Sequence, residues 1–499
     1  MELWQSLPLV SIILPLFSAA VMIVLRGKGA RAFCFAVLGG ETLLSGFFLI
    51  KIRAFGQSYT YPMGHYPAPF GNEIRAGLFE AIALFFFMLI LLLSLAGGLH
   101  KLEEHVRKER MPLYYAMILL MTASLSAQIF TNDLFTSYVF VEIMTLAAAG
   151  LIAAHGKGRA ILASARYMVM NMVASSLFLL GIVLLYDLTG HLLMSPIRQQ
   201  VAALAAEGQY QLALIVVVGL ITVGLSIKSA LFPFHSWVPD AYGTASPASA
   251  AIMSGLVSHA YLFLLMKIIY RVFGTELFAV TGIENVLFVF GLAGMLIGSI
   301  VAILQQDLKR MIAYSSVAQV GYIFMGIGLG SRAGMLAAAF HLLAHAACKS
   351  MLFITTDALI RASGGSSDLR DLRGAGFRAR LTAAAFVVGS LSMVGFPFLG
   401  GFPSKVNFVR AVIDIDPIHR IPVLIFLVLS TWLNTLYFLR TVISLYTMGK
   451  QDQPRREERV RTGIAYALSL AGFIALNAGL GLFSQRIING LLSGLSMFS

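Results

Sequence analysis

Four ionisable side chains lie inside apolar runs long enough to cross a bilayer: Glu142, Lys228, Lys349 and Lys405. Lys228 stands near the end of the stretch Leu212 to Leu231, just ahead of Phe232-Pro233-Phe234. A charge at mid-bilayer costs about 2.5–3.5 kcal/mol on insertion scales. Four of them cost roughly 10 kcal/mol, comparable with the whole stability of a typical domain. Charges retained at that cost point to use, and the use they point to is an ion path through the membrane.

Glu142 sits in Tyr138-Val139-Phe140-Val141-Glu142-Ile143-Met144, apolar on both sides. Pairing with a cation could simply fix helix packing, and Lys228 is the natural partner, since pairing keeps both groups charged at tolerable cost. Such a pair is also a proton switch. Burial weakens an ammonium's hold on its proton, a nearby carboxylate strengthens it, and moving the carboxylate away releases the proton.

His341, His345 and Lys349 recur at i, i+4 and i+8, which places them on one helix face. A zinc site would need a third ligand, and the metalloprotease pattern with its glutamate is absent. Two packing histidines are an alternative; with Lys349 on the same stripe, a hydrated relay is the stronger reading. His259 lies mid-span in Ser254-Gly255-Leu256-Val257-Ser258-His259-Ala260-Tyr261. Its imidazole could bridge the two lysine regions or bond a local carbonyl. Lys267, near a span end, is expected to snorkel to the interface. Lys405 follows a Gly/Pro break with no carboxylate nearby in sequence, as a terminal proton donor or acceptor would.

These residues need membrane helices to hold them. The chain is 58% hydrophobic and 12% charged, which excludes an ordinary soluble protein and indicates an all-α polytopic membrane protein. About 14 apolar segments suffice to cross a ~30 Å hydrocarbon core. They run over 7–26, 31–50, 76–98, 112–130, 133–154, 161–186, 211–232, 246–270, 281–304, 311–330, 335–361, 381–411, 421–447 and 463–484, and are numbered spans 1 to 14 below. Leu7 to Leu25 is too long for a signal peptide's apolar core and reads as the first span.

Lys and Arg concentrate in the loops after odd-numbered spans, about 20 there against about 8 on the other side. They include Arg26, Lys28, Lys101, Arg107, Lys157, Lys309, Arg310, Arg361, Arg370, Lys450 and Arg455. This bias places both termini outside the cytoplasm and accounts for the net charge of +13. No basic run is interleaved with aromatics, so no nucleic-acid partner is expected. Cys34 and Cys348 can build neither a disulfide framework nor a cluster ligand set.

Two spans look interrupted. Span 7 ends in Phe232-Pro233-Phe234-His235-Ser236-Trp237-Val238-Pro239-Asp240, and span 12 contains Gly395-Phe396-Pro397-Phe398-Leu399-Gly400-Gly401-Phe402-Pro403-Ser404-Lys405. Proline removes a donor and clashes with the preceding turn, and glycine permits a break. Phe-Pro-Phe thus recurs five spans apart, each time near a lysine. Paired broken spans point to repeats with the site between them, and an odd number of spans per unit inverts the second copy. No phosphate loop, dinucleotide fingerprint or nucleophile elbow is present. No cofactor is therefore expected, and energy must come from an ion gradient or a partner subunit.

At these residues the chain resembles the antiporter-like subunits of respiratory complex I, membrane-bound hydrogenases and Mrp-type cation/proton antiporters. The likeness is carried by Asn132-Asp133-Leu134-Phe135 with Glu142, and by Lys228 through Asp240. Gln306-Asp307-Leu308-Lys309-Arg310, His341 through Lys349, and Gly401-Phe402-Pro403-Ser404-Lys405 add to it. It spans roughly residues 80–450 and implies 14 helices with two inverted five-helix units, spans 4–8 and 9–13, and broken spans 7 and 12. On that basis 1–110 holds spans 1–3, 111–272 the first repeat, 273–448 the second, and 449–499 a cytoplasmic loop with span 14. The resemblance makes Glu142 and Lys228 the coupling pair, His341, His345 and Lys349 the relay, and Lys405 the outlet. Where the family often has lysine in span 8, this chain has His259, whose lower proton affinity would shorten its charged period.

Length and the Gly190 loop look most like the D-type Mrp subunit. The resemblance implies a proton-translocating subunit of a multi-subunit Na⁺ or K⁺/proton antiporter in the cell membrane. The alternative is the proton-pumping arm of a complex I-like NADH-quinone oxidoreductase or energy-converting hydrogenase. Either way its partners are other membrane subunits, protons, possible Na⁺ or K⁺, and the lipid bilayer.

Overall fold

The computed structural model describes residues 3–63, 66, 71–99, 102–208, 210–447 and 462–496. Lys101, Lys450 and Arg455 of the basic loops lie outside them. Among the described residues, thirteen helices are long and apolar enough to cross a membrane. Span 12 completes the expected set in two shorter pieces. This is a polytopic all-α protein, since in hydrocarbon only a helix or a closed barrel satisfies every backbone group.

Spans 1 to 3 are the helices Leu7–Val21, Gly27–Phe55 and Leu78–Leu99. Between the last two, strands Tyr59–Pro62 and Glu73–Ala76 pair antiparallel with Tyr59 opposite Ala76. Spans 4 to 6 are Met111–Phe130, Leu134–Ala153 and Gly158–Thr189. Span 7 is Gln211–Lys228 followed by the short helix Val238–Thr244. Span 8 is continuous over Pro247–Thr281 and enclosed from Pro247 to Phe273 except at half-buried Tyr270. It carries π turns at Met253–Val257 and Ile269–Phe273, on either side of Ser258–Ile268. Spans 9 to 11 are Ile283–Leu304, Leu308–Gly328 and Arg332–Ala362. Span 12 divides into Arg380–Val394 and Gly401–Val412, and spans 13 and 14 are Pro417–Tyr446 and Ile464–Leu482. A further helix, Ser484–Ser496, packs on spans 3 and 11.

Spans 8, 10 and 11 are almost entirely buried, whereas spans 6, 13 and 14 present broad apolar faces outward. The ionisable residues therefore concentrate where lipid does not reach.

Both interruptions expected from sequence are present, and both force a residue with a side chain into the left-handed region: Ala230 at φ 66° and Phe398 at φ 69°. Such positions cost of order 1–3 kcal/mol and persist only where the surroundings impose them. At the second break Gly401 is required for space, since a Cβ there would lie 1.7 Å from the Ser392 carbonyl oxygen.

A second correspondence repeats at the same interval of five spans. Asp133 caps span 5 by accepting from the Thr136 amide, and its neighbours exchange backbone hydrogen bonds with the loop after span 6: Leu134 N to Leu192 O, 3.0 Å, and Met194 N to Asn132 O, 2.8 Å. Asp307 caps span 10 by accepting from the Arg310 amide. There Leu308 N reaches Ser367 O at 2.9 Å, and Leu369 N reaches Gln306 O at 2.7 Å, in the loop after span 11. The Asn132-Asp133-Leu134 and Gln306-Asp307-Leu308 stretches are thus one device used twice.

Candidate functional site

Span 5 positions Glu142 and span 7 brings Lys228 to it as the last residue before the break. Lys228 Nζ lies 3.5 Å from Glu142 Oε1 and donates to Thr145 Oγ1 at 2.9 Å. Thr145 is one turn beyond Glu142 on span 5, and its hydroxyl also meets Tyr261 OH at 3.1 Å. The Ser175 hydroxyl of span 6 donates to Glu142 from the other side. Lys228 is fully enclosed, while the Glu142 side chain is 29% exposed on the outer surface of the bundle. The ammonium is therefore held by a carboxylate and a hydroxyl, and a shift of either changes what holds its proton.

Span 8 carries the link onward. Tyr261 touches the Lys228 region, and His259, two residues earlier, places Nε2 2.7 Å from His345 Nδ1 of span 11. Its contact is with another titratable ring, on span 11, rather than with a carbonyl. The π turn ending at Val257 changes the helical register immediately before it, a distortion that recurs at functional positions.

On span 11 the expected i, i+4, i+8 stripe is present. The rings of His345 and His341 lie parallel with centroids 5.9 Å apart, and Tyr322 stacks on His341 at 5.2 Å. His341 Nδ1 is 2.7 Å from Ser404 Oγ. Ser404 precedes Lys405, whose Nζ donates to Val394 O at 2.7 Å and to Thr431 Oγ1 at 2.8 Å. Val394 ends the first half-helix of span 12, so the break frees a carbonyl at the negative pole of a helix and the ammonium occupies it. Lys349 stands to the side of this line. It is enclosed, donating to Ile312 O at 3.1 Å and to the Ser315 hydroxyl of span 10.

All seven expected residues thus fall along one band, five of them buried and Glu142 and Lys405 half-buried. It runs from Glu142 and Lys228 through Thr145 and Tyr261, then His259, His345 and His341, to Ser404 and Lys405, with Lys349 alongside. Thr145, Ser175, Tyr261 and Ser404 escaped the sequence reading. Their signal was proximity: each is within a turn of a charged site residue, or faces one from the next helix. Lys267 corrects an expectation. It does not snorkel; it is fully enclosed and donates to Gln128 O at 3.0 Å and Ile129 O at 2.9 Å, the last carbonyls of span 4. Beside it Arg271 pairs with buried Glu80 at 2.5 Å. Among the described residues, no group of three or more His, Cys, Asp or Glu could hold a metal ion.

Fold and site together define a multi-pass membrane protein with titratable side chains strung through the middle of its bundle. A family model described as NADH:quinone oxidoreductase/Mrp antiporter, TM, matches residues 131–433, and the chain belongs to that family. It is 34% identical over 505 aligned residues to NADH-quinone oxidoreductase subunit N of Desulforudis audaxviator, covering 97% of each chain. To the D-type Na(+)/H(+) antiporter subunit of Alkalihalophilus pseudofirmus it is 28% identical over 458 residues, 91% of this chain and 88% of the relative. A chain of the membrane-bound sulfane sulfur reductase, an archaeal respiratory membrane complex, superposes with a TM-score of 0.87 at 26% identity, covering 98% of this chain and 97% of that one. A chain of the Mrp complex from Dietzia sp. DQ12-45-1b gives 0.86 at 25% identity over 100% and 97%.

Proposed function

We propose that this chain is a proton-translocating, antiporter-like subunit of a multi-subunit membrane complex, and that Glu142, Lys228, His259, His341, His345, Lys349 and Lys405 move the protons. The observation that carries the reading is a line of short polar contacts in three groups: Glu142–Lys228–Thr145–Tyr261, then His259–His345, then His341–Ser404, with Lys405 next to Ser404 in sequence. When the carboxylate moves away, Lys228 loses the partner that stabilises its charge and gives up a proton. The neutral imidazoles pass charge by accepting at one ring nitrogen and releasing at the other. Lys405, held by a carbonyl and a hydroxyl rather than a carboxylate, is the terminus. Residues 111–272 and 273–448 act as the two units, and His259–His345 is where they meet.

The exposed flank of Glu142 supports a neighbouring subunit at that surface, because a carboxylate facing lipid is costly. Similarity to a D-type antiporter subunit over 91% of the chain supports coupling of proton entry to Na⁺ or K⁺ extrusion. The redox-driven reading is favoured by the 34% identity with a subunit N along 97% of both chains. In both, the basic loops face the cytoplasm of a cell membrane. Vesicles carrying the whole complex, without reductant, separate them. Cation-dependent proton flux selects the antiporter, and flux that needs a redox substrate selects the oxidoreductase. Lys228→Ala abolishes flux in either case, and undiminished flux in that variant would leave only a scaffold.

A further inference from the structure

One group of titratable residues lies outside this band, on the face that carries the basic loops. His105 lies in the loop between spans 3 and 4, His155 just beyond the end of span 5, and Asp357 near the end of span 11. His105 Nε2 is 3.2 Å from Asp357 Oδ1, and the two imidazole rings lie 5.1 Å apart between centroids. Arg361 pairs with Asp357 and, at 3.6 Å, with Glu104. The side chains of His105 and Asp357 are 20% and 18% exposed, so water reaches this corner without flooding it.

Two features tie the corner to the interior. Asp357 lies two turns beyond Lys349 on span 11, about 12 Å along the helix axis. The Lys349 end of that interval is bordered by hydroxyls. Ser254 Oγ and Ser316 Oγ meet at 3.1 Å between spans 8 and 10, Ser350 donates to Ala251 O at 3.0 Å, and Ser315 holds Lys349 itself. Span 8 opens one turn into a π helix at this level, over Met253–Val257.

We propose that His105, His155 and Asp357 form the port through which protons pass between the water on the basic-loop face and Lys349. This rests on the proton-translocation reading above and adds the place of entry. A proton taken up by an imidazole nitrogen crosses the 3.2 Å contact to the Asp357 carboxylate and moves inward past the serines; no other bond is made or broken. Burial, with Lys309 and Arg361 nearby and Glu104 opposing them, pulls the His105 imidazole down to about 4. Burial together with His105, Lys157 and Lys309 does the same for His155. Neither ring then retains a proton near neutrality, which suits transfer better than storage.

The test uses oriented vesicles carrying the whole complex with His105→Gln/His155→Gln, beside wild type and Lys228→Ala. The port predicts that flux in the double variant falls several-fold, most at alkaline pH where protons are scarce. Imidazole added on the basic-loop face restores it, and imidazole on the opposite face does not. A purely structural role would give a loss that imidazole leaves unrepaired, and that result overturns the port. If the double variant fails to assemble, His155→Gln alone must show the same one-sided rescue, and its absence counts equally against the port. Should Lys228→Ala carry full flux, the proton-translocation reading falls and the port with it. Should Lys228→Ala be inactive while the histidine variant matches wild type in flux and pH profile, the port alone is wrong.

Discussion

The ammonium of Lys228 is satisfied by two groups of different character, a carboxylate at 3.5 Å and a threonine hydroxyl at 2.9 Å. In the proposed path the carboxylate would set the charge, and the hydroxyl, which also touches Tyr261, would set the direction of exit. Lys228→Ala removes the proton carrier and is expected to lower proton flux about 100-fold or more, the lower end of what a positioned acid–base group supplies. Thr145→Val keeps the volume and the Glu142–Lys228 pair but deletes the hydroxyl. It is expected to slow flux about tenfold, a part of that acid–base effect, while assembly is unaffected; wild-type flux in that variant would remove Thr145 and Tyr261 from the path. The charged residues were legible in the sequence because an ionisable group in an apolar run has few explanations. The hydroxyls were not, because serine and threonine in a membrane helix usually bond their own helix's carbonyls. Ser175 and Thr145 do that as well, at Asn171 O and Val141 O, and only the neighbouring helices show their second partners.

At the scale of elements, the two interrupted spans were readable from Pro and Gly, and the structure shows what the interruption supplies: a freed carbonyl for Lys405 and a helix end for Lys228. Gly401→Val would drive a side chain into the Ser392 carbonyl and is expected to destabilise by about 1–3 kcal/mol, as overpacking does, with a lower thermal transition of the purified complex as the readout. An unchanged transition would mean that the half-helices can separate freely. Lys267 shows what sequence position cannot tell. A lysine near a span end snorkels only if its surroundings open to water, and span 8 is enclosed around Lys267. It instead donates to two carbonyls near the end of span 4, so Lys267→Met is expected to cost about 1–3 kcal/mol through unpaired buried acceptors. Urea or thermal unfolding checks this, and no loss of stability would mean those carbonyls find other donors. The paired caps at Asp133 and Asp307 were present in sequence only as two short stretches. Their equivalence became visible through the loops each one grips.

For the whole molecule, the band of site residues and the basic-loop corner respond to pH in separate ways. His105 and His155 have folded values near 4 against an ordinary 6.5. The unfolded chain therefore binds more protons between those values, and the stability of the corner is full above about 6.5 and lost as pH falls toward 4. Amide exchange in residues 102–106 and 353–361 is expected to speed up across that window, and constant protection would show the corner is held by other contacts. The central claim is that the two halves of the chain conduct as one, and the link between them is the 2.7 Å contact of His259 with His345. Proton flux through vesicles carrying the assembled complex with His259→Phe measures it most directly, since the ring is replaced and the Glu142–Lys228 pair left in place. The account predicts flux reduced to the level of Lys228→Ala, whereas flux equal to wild type would contradict it.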